Sequence, residues 1–181
     1  MKALATRFDT TVPQLRRNVR RESIKVEQWG KVRRLEGGDT MVAAALFKVQ
    51  SDSRDATYVR YETLVDKYAR QAKRTPVFEK ETFFGRLQHI LVVRMPAVPS
   101  LGLVEPSTIF FAAILPCVID GYNSLDMEYM EKLGTTLDIV DIVCVQCVVG
   151  CVYVDTPRGP RWAIIDRSGD MARASFDDAE I

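Results

Sequence analysis

Alternating apolar and polar positions run through most of the chain after residue 38 and predict extended structure. The segment at residues 57–66, TYVRYETLVD, sets β-branched and aromatic odd-numbered positions against a face that carries Arg60 and Glu62. This pattern is typical of a half-buried strand, because successive side chains of a strand point to opposite faces. Apolar or alternating runs predict further strands at residues 40–49, 83–95, 108–120, 137–154 and 161–166.

Proline and glycine positions constrain how these segments connect. Residues 156–160, TPRGP, form a strong loop signal between the last two segments, which predicts that they pair as a hairpin. Pro116 lacks the N–H that a ladder hydrogen bond needs, so it predicts a strand edge, a bulge or a strand end. Gly150 is predicted to mark a bulge or bend within residues 137–154.

A short basic helix is predicted at residues 11–22, TTVPQLRRNVRR. Val12, Leu15 and Val19 recur at helical spacing and form a thin apolar stripe. Thr11 precedes them as a candidate N-cap, because its hydroxyl can accept a hydrogen bond from the first turn. Two interpretations remain open: a solvated helix docked on the body by its apolar stripe, or a binding arm.

A second helix is predicted at residues 124–133, SLDMEYMEKL, with Ser124 as its cap and Gly134 at its end. Strands do not alternate with long helices, which disfavours a parallel α/β sheet. The sequence therefore predicts a mainly β fold. We expect a compact antiparallel β-barrel or curled sheet of about six strands, with one or two short helices and a basic N-terminal arm.

Charge divides the chain into a basic N-terminal segment and an acidic remainder. All 181 residues together carry 25 Lys and Arg and 24 Asp and Glu, a formal net charge of +1. Residues 1–34 hold ten basic and three acidic residues and the remainder holds 15 basic and 21 acidic, so the two parts are at +7 and −6. We predict a basic N-terminal arm at residues 1–34, one β-rich domain at residues 35–174 and an acidic tail at residues 175–181.

The compartment is inferred from targeting signals and thiols. The N-terminus has no apolar signal-peptide core, and no apolar run reaches the roughly 18–20 residues of a membrane span. Four cysteines without a secretory signal are typical of free thiols in a reducing compartment. We expect a nuclear or cytoplasmic protein that is not secreted and has no membrane partner.

Three of the four cysteines fall within residues 140–154, VDIVCVQCVVGCVYV, and raise the question of a zinc or redox site. In one continuous strand, Cys144 and Cys147 would point to opposite faces. Cys147 and Cys151 would share a face but lie two pleats apart, on the order of 13 Å. The valine-rich context also lacks the turns of a zinc knuckle and the helix N-terminus of a redox pair.

These thiols, with Cys117, are therefore predicted to pack as small hydrophobes in a central strand that is buried on both faces. No metal or other cofactor is predicted. His89, the only histidine, lies on the apolar face of residues 83–95 and is interpreted as a core histidine with a satisfied ring. No catalytic motif is present, and an enzyme centred on His89 and the cysteines is kept as a third hypothesis.

The remaining signal is electrostatic. Two sets of basic residues, one in the arm and one after residues 57–66, predict salt-dependent contacts to nucleic-acid phosphates. Aromatic residues are not interleaved with them, which disfavours a stacking platform for single strands. A solvated basic surface is the alternative, since the body is acidic. The candidate nucleic-acid-binding residues are Arg16, Arg17, Arg20, Arg21, Lys31, Arg33, Arg34, Lys67, Arg70, Lys73 and Arg74.

Four strings also carry a resemblance as a set: RDATYVRYETLVD (residues 54–66), FFGRLQHILVV (83–93), VDIVCVQCVVG (140–150) and RWAIIDRSGDMARASF (161–176). In this order they resemble uncharacterised proteins of mushroom-forming fungi. Those proteins are similar to the C-terminal region of open reading frames from Kyakuja–Dileera–Zisupton and CACTA-type transposons. The resemblance spans residues 29–176 and supplies no functional residues, but its genomic setting implies a place near DNA, chromatin or a transposase.

The short strands are also similar, by fold analogy only, to small chromatin-reader barrels of the bromo-adjacent-homology type. A methyl-lysine reader needs an aromatic cage, for which core packing is the favoured alternative. The candidate cage residues are Tyr58, Tyr61, Phe83, Phe84, Tyr153 and Trp162.

The favoured function is a non-catalytic binding module associated with nucleic acid or chromatin and of transposon origin, with duplex DNA or chromatin as its partner. The alternative is a protein-interaction domain, either a transposase accessory or a homo-oligomer formed through an exposed sheet edge.

Overall fold

The computed structural model describes residues 1–20, 23–33, 38–47, 55–71, 73–122, 127–156 and 159–166. Its fold is mainly β, a curled antiparallel half-barrel with two short helices, which confirms the predicted fold class. The helices are α1 (Lys2–Arg7) and α2 (Val12–Asn18).

Eleven strands are present in the described ranges, where the sequence predicts about six. One predicted strand is broken into three, and β7 forms where a helix is predicted. The short strands β1 and β2 have too few residues to show a period. The strands are β1 (Lys25–Trp29), β2 (Lys31–Arg33), β3 (Thr40–Val42), β4 (Tyr58–Asp66), β5 (Phe78–Met95), β6 (Ser107–Tyr122), β7 (Glu128–Leu133), β8 (Asp138–Asp141), β9 (Val145–Val148), β10 (Gly150–Thr156) and β11 (Gly159–Ile165).

The main sheet has the order β10-β11-β7-β6-β5-β4-β9, with β1 added to β5 and β8 added to β6. A separate antiparallel pair consists of β2 and β3. The two ends of the main order, β9 and β10, are neighbours in the chain and are joined by Val149. The Val149 N–H donates to the carbonyl of Tyr58 at 2.9 Å, so the sheet curls until its two ends meet beside β4.

The long strands β5 and β6 pair from Gly85 opposite Pro116 to Met95 opposite Ser107, with one bulge between Leu87 and His89. Pro116 lies within β6 rather than at its end. It sits where the outer neighbour of β6 changes from β8 to β7, so its missing N–H falls at a junction between two partners.

Three apolar clusters fill the fold. The first packs Tyr61, Leu87 and Ile114 of the main sheet against Met41 of β3. The second lies beneath α1 and α2, and the third lies between β4, β6, β7 and β11 around Met130. The strand predicted at residues 57–66 is confirmed as β4, whose Val59 and Tyr61 face inward.

The helix predicted at residues 124–133 is wrong, since residues 128–133 form β7. Residues 124–126 lie outside the described residues. Met130 pairs with Ile119 on one side and Trp162 on the other, so strand pairing on both sides overrides the local helical preference.

The prediction of one central strand at residues 137–154 is also wrong. The segment is divided into β8, a 3-10 turn at Ile142–Cys144, β9 and β10. Asp141 ends β8, because its carboxylate accepts a hydrogen bond from the Val143 N–H at 3.2 Å and caps that turn. Val149 then separates β9 from β10, so the break falls next to Gly150, the predicted bend. The thiols therefore belong to different elements, and β9 and β10 lie at the ends of the sheet order.

The other strand predictions differ only in extent. Residues 83–95 belong to the longer β5 and residues 108–120 to the longer β6. Residues 161–166 overlap β11, which pairs with β10 as the predicted hairpin, with Thr156 opposite Gly159. The strand predicted at residues 40–49 is limited to β3 and is followed by a turn at residues 44–46, while residues 48–49 lie outside the described residues.

Replacing Gly85 by alanine is expected to destabilise the fold by about 1–3 kcal/mol, because overpacking forces the backbone to shift. A Cβ at this position would lie 2.6 Å from the carbonyl oxygen of Leu115 and against the side chain of Ile114. Gly121→Ala is the matched control on β6, since a Cβ there meets nothing within 4 Å. Denaturant unfolding measures both variants, and equal stabilities would contradict the close approach of β5 and β6.

Candidate nucleic-acid interface

The helix α2 is initiated by a capping box, which confirms Thr11 as its N-cap. The Gln14 N–H donates to Thr11 Oγ1 at 3.3 Å, and the Thr11 N–H donates to Gln14 Oε1 at 3.1 Å. Two otherwise unpaired backbone donors are satisfied in this way. The helix ends at Asn18, four residues earlier than predicted, because Val19 is extended.

The predicted apolar stripe holds α2 on the body. Leu15 and Val19 are buried in the second cluster, where they pack with Leu4 of α1 and with residues of β5 and β6 such as Val93 and Ile109. Burying a leucine contributes roughly 1.5–3 kcal/mol. The orientation of the helix is therefore fixed, and Arg16, Arg17 and Arg20 are turned to solvent.

These three arginines make no ion pair with any described residue. Two other arginines near the helices, Arg7 and Arg94, do form ion pairs. Arg7 binds Asp141 at 2.8 Å and ties α1 to β8. Arg94 binds Glu27 through two contacts of 2.7 and 3.2 Å, and this hydrogen bonding lowers the pKa of the Glu27 carboxyl.

The second predicted cluster lies in the turn between β4 and β5. The Asp66 carboxylate closes this turn by accepting hydrogen bonds from the N–H groups of Tyr68 and Val77. Lys67 pairs with Glu79 at 2.8 Å, and this hydrogen bond raises the pKa of the lysine. The side chains of Arg70, Lys73 and Arg74 are exposed, and the guanidinium of Arg74 stacks 3.9 Å from the ring centroid of Tyr68.

Two of the remaining candidates lie on the small β2–β3 pair. Lys31 and Arg33 are exposed on β2, and the Lys31 ammonium lies 4.8 Å from the ring centroid of Phe47. Arg21 and Arg34 lie outside the described residues.

The structure does not gather these candidates into one cluster. Helix α2 packs against the C-terminal end of β5 at Val93 and Met95, whereas the turn that holds Lys67 leads into its N-terminal end at Phe78. Phe78 and Val93 are fifteen residues apart on β5, so the two sites are separated by about 50 Å along the strand. The described arginines of both sites lack an acidic partner among the described residues, but the turn also contains Lys67, which pairs with Glu79. The site at α2 is therefore the one where no candidate cation is paired with a described carboxylate.

Sequence reasoning missed a groove of about 820 Å³ beneath α1, lined by α1, β1, β4, β5, β6 and β8. Several of its apolar side chains are exposed, including Val26, Leu64, Leu137 and Ile139. Leu64 could have indicated the groove from the sequence, because it is an apolar residue on the polar face of its strand. The helix α1 has only six residues, too few to show a period.

The cysteines occupy three environments. Cys117 and Cys151 pack against the third apolar cluster, and Cys144 lines the groove beneath α1. The Cys147 thiol also borders the third apolar cluster and donates to Asp166 Oδ1 at 3.8 Å. Burial raises the pKa of the Cys117 thiol to about 12 and that of Cys151 to about 11, and it also raises that of Cys144. Within the part of the chain that the structure describes, no three His, Cys, Asp or Glu side chains converge on a metal-sized site.

His89 has a satisfied ring, as predicted, but not in the core. The bulge in β5 before His89 brings Ile90 into the first cluster and leaves His89 half-buried. Its Nδ1 lies 2.7 Å from Nε2 of Gln28 on β1, which positions the ring at the junction of the two strands.

The aromatic residues considered for a cage are divided among three places. Tyr61 and Phe83 pair in the first cluster with ring centroids 5.7 Å apart, and Tyr58 and Phe84 pack against the third cluster. The remaining pair, Tyr153 and Trp162, is exposed on the β10–β11 hairpin, with centroids 5.5 Å apart.

The fold is a curled antiparallel β half-barrel whose longest strands carry two short helices at one end. Comparison of the chain with protein-family models, curated proteins and solved structures finds no match. None of the described helices is long and apolar enough to cross a membrane.

The half-buried thiols of Cys117 and Cys151 are expected to react slowly with an alkylating reagent at neutral pH, because their raised pKa values leave little thiolate. Peptide mass spectrometry after iodoacetamide treatment should show Cys117 and Cys151 labelled at least about tenfold more slowly than an unstructured cysteine peptide. The same chain in denaturant is the control, and its cysteines should react at the peptide rate. Equal rates in the native and denatured chains would contradict the burial of these thiols.

Proposed function

We propose that the protein is a non-catalytic nucleic-acid-binding module that contacts the phosphates of duplex DNA through Arg16, Arg17 and Arg20. The proposal rests on the exposure of these arginines and on their lack of acidic partners. Each arginine is exposed and has no acidic partner among the described residues, on or next to a helix whose inner face is buried.

The geometry of α2 favours several phosphate contacts at once. Arg16 and Arg17 are consecutive, so their side chains leave the helix about 100° apart and reach different phosphates. Arg20 follows the end of the helix, where the chain is anchored by the buried Val19. Because the backbone of α2 is already ordered, the ordering cost of binding falls on the arginine side chains and not on the backbone.

Duplex DNA is favoured over single strands for a specific reason. Base stacking needs exposed aromatic side chains beside the cations, and the aromatic residue next to α2, Phe8, instead packs half-buried against the second cluster. Phosphate contacts without stacking are suited to a duplex and are largely independent of base sequence. The resemblance to transposon-encoded proteins supports the same class of partner.

The affinity for a short DNA duplex, measured by fluorescence anisotropy, is expected to fall steeply as salt is raised. Three phosphate contacts predict a slope of about −3 in a plot of log affinity against log salt. Each of Arg16→Ala, Arg17→Ala and Arg20→Ala should reduce the magnitude of that slope by about one.

The matched control is Lys132→Ala, which removes an exposed cation on β7, away from α2. Its slope should equal that of the wild-type protein. Absence of binding at low salt, or equal losses for the control and the arginine variants, would overturn the proposal.

A further inference from the structure

The strand β10 is an edge of the main sheet. It pairs with β11 through seven consecutive residue pairs without a bulge, from Gly150 opposite Ile165 to Thr156 opposite Gly159. On its other side, the Val149 N–H bonds to the Tyr58 carbonyl of β4, and the Cys151 thiol contacts the Tyr58 side chain. From Cys151 onward, no strand among the described residues covers this side.

Other edges of the sheet carry features that discourage pairing with another chain, and β10 does not. Charged side chains on an edge act in this way. The strand β1 carries Lys25 and Glu27, and β8 has Asp138 and Asp141 at its two ends. The strand β9 has only four residues, and both of its ends are buried. In β10 the single charged residue is Asp155, next to its end.

The two faces beside this edge are apolar and exposed. Val152 is 47% exposed on one face and Tyr153 is 52% exposed on the other. Trp162 lies beside Tyr153 in an edge-to-face contact and is 40% exposed. Such a surface on a regular strand, whose one charged residue lies next to its end, is suited to another extended strand, which would satisfy its backbone groups and cover its side chains.

We infer that β10 pairs antiparallel with β10 of a second copy of this chain, and that the two half-barrels join into one continuous sheet about a twofold axis. A pairing centred on Tyr153 sets the two tyrosines opposite each other, an aromatic cross-strand pair. It also sets Val152 of one copy opposite Val154 of the other. The edge is therefore complementary to itself, as a twofold interface requires.

The charge on β10 is compatible with pairing between two copies of this chain. In the same register, Asp155 of each copy lies opposite Cys151 of the other. The two carboxylates are then four residues apart along the sheet, about 13 Å. That separation exceeds the screening length of about 10 Å at moderate salt, so the only charged residue of β10 does not oppose pairing.

Sedimentation velocity and light scattering on the full chain, over a range of concentrations and without DNA, test this inference. The expected result is a species of twice the 20.5 kDa chain mass that dissociates on dilution. Tyr153→Lys places two like charges opposite each other and is expected to leave only the monomer. Val152→Lys, on the other face of the same edge, should also weaken the dimer.

The control is Val104→Lys, an exposed apolar residue in the loop before β6, which should leave the dimer intact. Circular dichroism and thermal melting confirm that each variant folds. A wild-type chain that stays monomeric at every concentration, or a dimer that both β10 variants retain, would overturn the inference. Because DNA is absent, neither result depends on the proposed DNA contact.

Discussion

Backbone pairing between β5 and β6 positions every other part of the structure. These strands have 18 and 16 residues, long enough for each to serve different neighbours along its length. One end of β5 receives β1 and the other receives β4, while β6 passes from β8 to β7 at Pro116. Gly85 lies opposite Pro116, so the two strands approach closely where β6 changes partner, at a position with no room for a Cβ.

The two proposed surfaces follow from this arrangement. Packing of α1 and α2 on the C-terminal end of β5 turns Arg16 and Arg17 outward, away from any acidic partner among the described residues. The hairpin of β10 and β11 reaches the sheet through β7, on the far side of β6. A pairing through β10 therefore leaves the arginines of α2 accessible, so phosphate contact and self-association use separate parts of the molecule.

Local patterns predicted what depends on neighbours in sequence. The alternation at residues 57–66 predicted β4 and its inward face, and Thr11 predicted the cap of α2. They failed where distant residues decide: Met130 lies in a strand because two other strands flank it. The error at residues 137–154 has a local cause instead: the Asp141 carboxylate caps a turn two residues further on, and the continuous valine run concealed it. The candidate arginines were visible in the sequence, but whether each has an acidic partner depends on the tertiary fold, as Lys67 and Glu79 show.

The most direct test of the central claim, that the arginines of α2 form the contact surface, is a titration of the ¹⁵N-labelled protein with a short DNA duplex, followed by NMR. The chain mass of 20.5 kDa allows backbone amide signals to be assigned residue by residue. We expect the largest shift changes at residues 11–20, with little change in β7 and β10. Changes centred on the turn after β4 or on β10, with none at residues 11–20, would contradict it.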